Sequence, residues 1–280
     1  MASVPSSFFA RHEFLIRRLH SLSGLIPVGA FMTAHLLTNA SVLAGPQVFQ
    51  KNVDAIHALG PLLPLVEWVF IFLPIIFHAA VGVVIAKSGK SNSSRYPYVS
   101  NVRYTLQRAT AWIALVFIGW HVFHMHGWSH NEAWLSKVAE PAFGAQFHYE
   151  EATSTAAMAL SNPIAKVLYA IGVLSCVFHL ANGLWTMGIT WGVWTSPAAQ
   201  RRATYACTAF GLLLAIAGMG ALVGMSTVDL TRARAIETVM AEERQSQAER
   251  VKREEARLRE AAAEQAPSEK TTSNPNLQVR

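Results

Sequence analysis

Five long stretches of this sequence are almost free of charged side chains, and this feature constrains the fold most strongly. They cover residues 20–43, 65–86, 108–128, 163–187 and 203–226. Each is long enough to cross a bilayer, which takes about 20 mostly apolar residues in a helix. Only 14% of the chain is charged, against about 25% in soluble domains. The sequence therefore predicts an all-α integral membrane protein with five transmembrane helices in residues 20–226.

The charges that flank these stretches predict how the chain crosses the membrane. One side, that of the N-terminus, collects ten basic residues: Arg11, Arg17, Arg18, Lys87, Lys90, Arg95, Arg103, Arg108, Arg201 and Arg202. The other side, before the tail, has only Lys51, Lys137 and Lys166. Because basic flanks stay in the cytoplasm, we expect segment 1–19 on the inside of a bacterial cytoplasmic (inner) membrane. The C-terminal tail, 227–280, is then outside, and lipid surrounds the five helices.

The tail and the cysteines exclude several classes of protein. Residues 226–280 carry equal numbers of basic and acidic side chains, so the net charge of +6 belongs to the membrane part. This distribution gives no indication of nucleic-acid binding; we expect a solvated, charged helix that becomes disordered near its end. The only cysteines, Cys176 and Cys207, lie within apolar stretches. They exclude a cysteine-ligated iron–sulfur cluster and a CxxCH haem attachment site.

One histidine lies deep inside each of the first four apolar stretches: His35, His78, His121 and His179. Ionisable side chains are costly inside a membrane and usually mark functional sites. A helix rises by about 1.5 Å per residue, and successive spans run in opposite directions. This arithmetic places His35 and His121 (the outer pair) nearer the outer face, and His78 and His179 (the inner pair) nearer the inner face. Two pairs at two depths predict two b haems with these imidazoles as axial iron ligands.

Two further groups of polar residues lie near the predicted haem sites. Arg17, His20, Ser21 and Ser23 lie near the inner end of the first span, where cations and hydroxyls suit haem propionates. Anchoring by the positive-inside rule explains the arginine equally well. Glu67 lies at the outer end of the second span and is a candidate for proton transfer to or from a quinone. A carboxylate favoured by the helix dipole is the alternative.

The segments around the four histidines resemble one family. The chain is similar to the dihaem cytochrome b membrane anchor of succinate:quinone oxidoreductases and fumarate reductases in RRLHSLSGLIPVG and AHLLTN, EWVFIFLPIIFHAAVGV, LQRATAWIALVFIGWHVF, and VLSCVFHLANGLWTMGITWG. The resemblance implies that the chain anchors an FAD-containing flavoprotein and an iron–sulfur subunit at the cytoplasmic face. It also implies electron transfer from the iron–sulfur subunit through the inner and then the outer haem. The acceptor would be a quinone, typically menaquinone, that reacts near Glu67.

Other functions remain open on the residues alone. The cytochrome b of a hydrogenase or a formate dehydrogenase is one alternative, although such subunits distribute their histidines differently among the spans. A metal-ion permease that uses intramembrane histidines is another, although ion pathways generally also need intramembrane carboxylates. The tail is longer than the family's core requires, so we expect that removing it after Ser226 leaves the haem content unchanged.

Overall fold

The computed structural model describes residues 8–88, 94–96, 98–129 and 131–265. Five helical segments within these ranges are long and apolar enough to cross a membrane: Arg11–Ala44, Gly60–Ser88, Val99–His126, Pro163–Thr190 and Pro197–Thr227. We number them spans one to five. The predicted all-α architecture with five membrane helices is confirmed. The orientation in the membrane stays a prediction, and the expected disorder near the end of the tail concerns residues 266–280, outside the described residues.

The spans are longer than the apolar stretches, because each helix continues into its charged flanks. Span three begins at Val99 rather than at residue 108, and span five begins at Pro197 rather than at residue 203. Arg103 and Arg108 are therefore helical residues rather than loop residues. The charged residues before spans three and five mark where each apolar stretch begins, but each helix begins several residues earlier.

Two prolines interrupt the regular helix of their spans. In span one the helix Phe8–Leu25 ends just before Pro27, and a second helix, Pro27–Ala40, continues the span. In span two a π-helical turn, Trp68–Phe72, lies directly before the helix that contains Pro74. Proline has no N–H to donate, and its ring crowds the preceding turn. The regular α-helical bonding is therefore lost just ahead of each proline.

Span four begins with an N-cap residue that is followed by a proline. The side chain of Asn162 accepts a hydrogen bond from the N–H of Ile164 at 2.8 Å, and Pro163 is the first helical residue. Span five repeats the arrangement, with Ser196 accepting from the N–H of Ala199 at 3.2 Å. Proline suits the first helical position because its missing N–H would have no partner there.

Span four is the centre of the packing. It contacts spans three and five along their lengths, and span five also packs on the helix Pro27–Ala40. Span two packs mainly against the helix Phe8–Leu25 and approaches span three at only a few positions. Residues of both spans two and three line a cavity that spans one and four also border.

Two short helices, Pro46–His57 and Ala152–Ala159, close the end of the bundle that lies opposite the N-terminus. We call the second one the capping helix. Gln50 joins them and is fully buried. Its amide donates to the carbonyl of Tyr149 at 2.7 Å and accepts from the N–H of Ala152 at 3.0 Å. Apolar residues of both helices form one buried cluster with Tyr169 of span four.

Glu237, at the start of the long helix Leu230–Gln265, completes this end of the bundle. Its Oε1 accepts hydrogen bonds from the N–H groups of Thr153 (2.8 Å) and Ser154 (2.9 Å), in the first turn of the capping helix. The side chain is only 2% exposed. By its contacts the chain divides into two compact units after Glu237. The expectation of a fully solvated tail is wrong for its first two turns, since tertiary contacts bury this carboxylate.

We expect the Glu237→Ala variant to be less stable than the parent protein. The substitution leaves two buried backbone N–H groups without an acceptor, at a cost of about 1–3 kcal/mol for each buried group, and it removes a negative charge from a helix N-terminus. Thermal unfolding in detergent measures the effect. The exposed Glu242→Ala is the matched control, and equal midpoints for the two variants would contradict the assignment.

Candidate cofactor site

A cavity of about 760 Å³ lies among spans one to four. It runs from Arg17 and Thr190 at one end to Trp68 and Trp128 at the other. Most of its wall is aliphatic or aromatic, and the polar side chains in the wall are few. Cavities that bind cofactors have this size range and this mixture of an apolar wall with a few convergent polar groups.

The inner pair meets at the wall of this cavity. The ring centroids of His78 and His179 are 6.1 Å apart, and the ring planes are nearly perpendicular. Both histidines line the cavity. Nδ1 of His78 donates to the carbonyl of His20 at 2.9 Å, and Nδ1 of His179 donates to the carbonyl of Gln107 at 3.2 Å. Each ring is therefore fixed through one nitrogen by a neighbouring helix.

The outer pair meets in a second place, between spans one and three. The ring centroids of His35 and His121 are 5.8 Å apart. Nδ1 of His121 lies 3.1 Å from the hydroxyl of Tyr169. His35 is arranged differently, because the amide of Asn39 lies 3.3 Å from its Nε2. The two contacts between histidines therefore join the same residues that the depth arithmetic pairs.

The arrangement of ring nitrogens fits a metal in each pair. His78, His121 and His179 all use Nδ1 for hydrogen bonding, and within the described part of the chain their Nε2 atoms have no hydrogen-bond partner. A histidine that binds a metal through one nitrogen almost always donates from the other. Two imidazoles on opposite sides of one metal, with bonds of about 2 Å, have centroids about 6 Å apart. His35 fits less well, because its Nε2 must lose the Asn39 contact to coordinate.

Small residues keep the inner pair accessible. Gly82 and Gly183, one turn beyond His78 and His179, both line the cavity. Gly24, on span one, lies directly against the ring of His78, and a Cβ atom at this position would overlap Cε1 of that ring. Gly82 and Gly183 each follow a histidine of the inner pair by four residues, a spacing that is visible in the sequence. Gly24 has no such spacing and is recognisable only from the packing of span one on span two.

The structure divides the four residues that were expected to contact propionates. Arg17, His20 and Ser21 line the cavity. Arg17 also forms an ion pair with Glu13 at 2.7 Å. Ser23 does not line the cavity, because its hydroxyl donates to the carbonyl of His20 at 3.0 Å. A serine inside a helix often satisfies itself on its own backbone in this way.

Arg108 is a polar residue of the cavity wall that sequence reasoning assigned only to membrane orientation. Its guanidinium stacks on the ring of Tyr104 at 3.7 Å. Its Nε atom is buried and has no hydrogen-bond partner among the described residues. By contrast, Arg103 is paired through its Nε atom with the side chain of Asn182 at 2.8 Å. The position of Arg108 in the sequence could have indicated a functional role, because an arginine within a membrane helix usually serves a function.

Glu67 lies beside the cavity rather than in its wall. It is half-buried and directly precedes the π-helical turn Trp68–Phe72. Trp68 and Phe72 from that turn line the cavity, and the ring of Phe72 lies 6.0 Å from the ring of His126. Turns of this kind inside helices often occur at functional sites. Glu67 makes no hydrogen bond or ion pair within the described residues.

Comparison with known proteins gives one informative relative and no matching family model. The chain is 37% identical over 210 residues to the succinate dehydrogenase cytochrome b558 subunit of Bacillus subtilis (strain 168). The aligned region covers 75% of this chain and 96% of the relative.

Proposed function

Because the chain belongs to the family of succinate dehydrogenase cytochrome b subunits, we propose that it holds two b haems and passes electrons through them to a membrane quinone. The membership itself makes the chain a multi-pass membrane anchor of a bacterial succinate dehydrogenase complex. Its partners are therefore a flavoprotein and an iron–sulfur subunit. The number of haems, their ligands, the quinone and the docking of the partners on the cytoplasmic face belong to the proposal.

The observation that carries the proposal is the pair of histidine contacts at two levels of the bundle. His78 with His179 and His35 with His121 each have a centroid separation that suits coordination of one iron between two rings. In three of the four rings a hydrogen bond through Nδ1 leaves Nε2 for the metal. We assign the inner haem to the inner pair and the outer haem to the outer pair.

A b haem, when bound, supplies reversible one-electron transfer through its iron. The residues of this chain orient the two axial ligands and exclude water from the site. The cavity wall is apolar around His78 and His179, and the rings are fixed by carbonyls of the neighbouring helices. The two histidine pairs lie at two levels of the bundle, so haems held by them would offer electrons from the iron–sulfur subunit a route towards the opposite face.

The cavity also offers partners for the carboxylates of a haem. Arg17, Ser21 and Arg108 line it, and the buried Nε of Arg108 has no partner among the described residues. A guanidinium binds a carboxylate through strong, charge-assisted hydrogen bonds. We assign Arg108 to the same role that the sequence predicts for Arg17 and Ser21, whereas the assignment of Ser23 is dropped.

We place quinone reduction beside Glu67, at the outer end of span two. We take the quinone to be menaquinone, and its reduction to the quinol takes two electrons and two protons. The oxidation of succinate supplies the electrons, and Glu67 delivers one proton and is reprotonated from water before it delivers the next, so that each of the two quinone oxygens receives one proton. Trp68 and Phe72, which follow Glu67 in the chain, line the neighbouring apolar cavity, and a carboxylic acid beside an apolar site can transfer protons in this way.

Purification through an affinity tag on this chain tests the function as a whole. We expect the flavoprotein and the iron–sulfur subunit to co-purify, and we expect succinate to reduce the haem in the complex. The absorption spectrum before and after addition of succinate is the readout. A chain that retains haem but is reduced only by hydrogen or formate would favour the alternative dehydrogenases.

A further inference from the structure

One tyrosine links the outer pair to a third histidine, which belongs to neither pair. The hydroxyl of Tyr169, in span four, lies 3.1 Å from Nδ1 of His121 and 2.9 Å from Nδ1 of His124, both in span three. Tyr169 is 6% exposed and His124 is 7% exposed. Trp120 stacks on the ring of His124, with centroids 4.9 Å apart and planes within 12° of parallel. The three polar groups therefore form one connected chain, in which Tyr169 and His124 are buried and His121 is half-buried.

The direction of the hydrogen bonds in this chain follows from its chemistry, once the proposed coordination of His121 is granted. A neutral imidazole that binds iron through Nε2 carries its hydrogen on Nδ1. His121 therefore donates to the oxygen of Tyr169. The phenol has a single hydrogen, which is then available for Nδ1 of His124. His124 accepts at Nδ1 and carries its own hydrogen on Nε2.

We propose that Tyr169 is a positioning residue for the outer haem, and that its hydrogen bond to His121, supported by His124, lowers the reduction potential of that haem. A partner that accepts from the Nδ1–H group orients the ligand and makes it more basic. A more basic ligand stabilises ferric iron relative to ferrous iron. This inference rests on the proposed function, because it requires His121 to be an iron ligand.

The inner pair differs in a way that supplies an internal comparison. His78 and His179 donate to backbone carbonyls, which a side-chain substitution does not remove. Only the outer pair depends on a side-chain hydroxyl in a chain that continues to a second histidine. Loss of that hydroxyl should therefore change the potential of one haem and leave the other unchanged.

Redox titration of the Tyr169→Phe variant in the intact complex tests the proposal. Mutation of a residue that hydrogen-bonds to a metal ligand typically changes metal affinity or activity by 10–100-fold. We expect the equilibrium between the ferric and ferrous forms of the outer haem to shift about tenfold towards the ferrous form. This shift raises the midpoint potential of that haem by about 59 mV for one electron. His124→Leu should raise the same midpoint by less, because Tyr169 remains. Tyr205→Phe, at a 76% exposed position of span five, is the matched control.

The outer haem is identified in these titrations as the component that His35→Leu removes. An unchanged midpoint in Tyr169→Phe, or an equal shift of both haems, overturns the proposed role of Tyr169. If Tyr169→Phe loses the outer haem, His124→Leu gives the deciding titration, with the same outcomes. A parent protein without two haems would instead contradict the proposed function, so the two failures are distinguishable.

Discussion

Replacing His179 with leucine is expected to reduce the haem content from two per chain to one and to abolish electron transfer from succinate to quinone. His179 faces His78 at 6.1 Å, and leucine offers no nitrogen to an iron between them. The loss of quinone reductase activity should exceed the 10–100-fold effect of mutating a residue that only hydrogen-bonds to a metal ligand. Haem content by the pyridine haemochrome assay and succinate:quinone activity are the measurements.

The same variant should leave the catalytic subunits able to reduce a soluble dye with succinate, because the proposal assigns only the passage of electrons to quinone to this chain. His148→Leu is the matched control, since His148 is exposed and belongs to neither pair. We expect it to keep both haems and its quinone activity. Two haems retained in His179→Leu would show that the inner pair is assigned incorrectly.

The Glu67→Gln variant is expected to keep both haems and to lose quinone reductase activity by about 10²–10⁴-fold, the usual contribution of a positioned acid or base. Glutamine preserves the size of the side chain and its hydrogen-bonding ability, but it does not donate and recover a proton. The variant should still accept electrons from succinate, so its haems become reduced and stay reduced.

The control for Glu67 is Glu140→Gln, an exposed carboxylate on the same side of the bundle. Stopped-flow measurement of haem reduction and reoxidation separates the two halves of the reaction. Full quinone activity in Glu67→Gln would remove this residue from the mechanism. An equal loss in both variants would indicate a general effect of surface charge.

The sequence predicts the histidine pairs because depth in a membrane helix depends only on residue count. His35 and His121, or His78 and His179, reach similar levels whatever the rotation of each helix about its axis. The same arithmetic does not predict which side chains face one another. The contact of Tyr169 with His121 and the contact of Gly24 with His78 depend on helix rotation and packing, which periodicity does not specify in helices that are apolar on all sides.

Charged residues were harder to interpret than histidines. The orientation of the chain in the membrane already accounts for basic residues near a span. Orientation alone therefore gives no reason to expect Arg108 in the cavity wall. Glu237 lies in a strongly charged segment, and only the approach of the capping helix shows why it is buried. In both cases the informative property is a tertiary contact that composition does not predict.

The haem stoichiometry of the purified complex tests the central claim most directly. The pyridine haemochrome assay, with protein quantified by amino-acid analysis, gives the number of b haems for each copy of this chain. The account predicts two, which a redox titration should resolve as two one-electron components. One haem would break one of the proposed histidine pairs, and a folded complex without haem would contradict the assignment of this chain as a route for electrons.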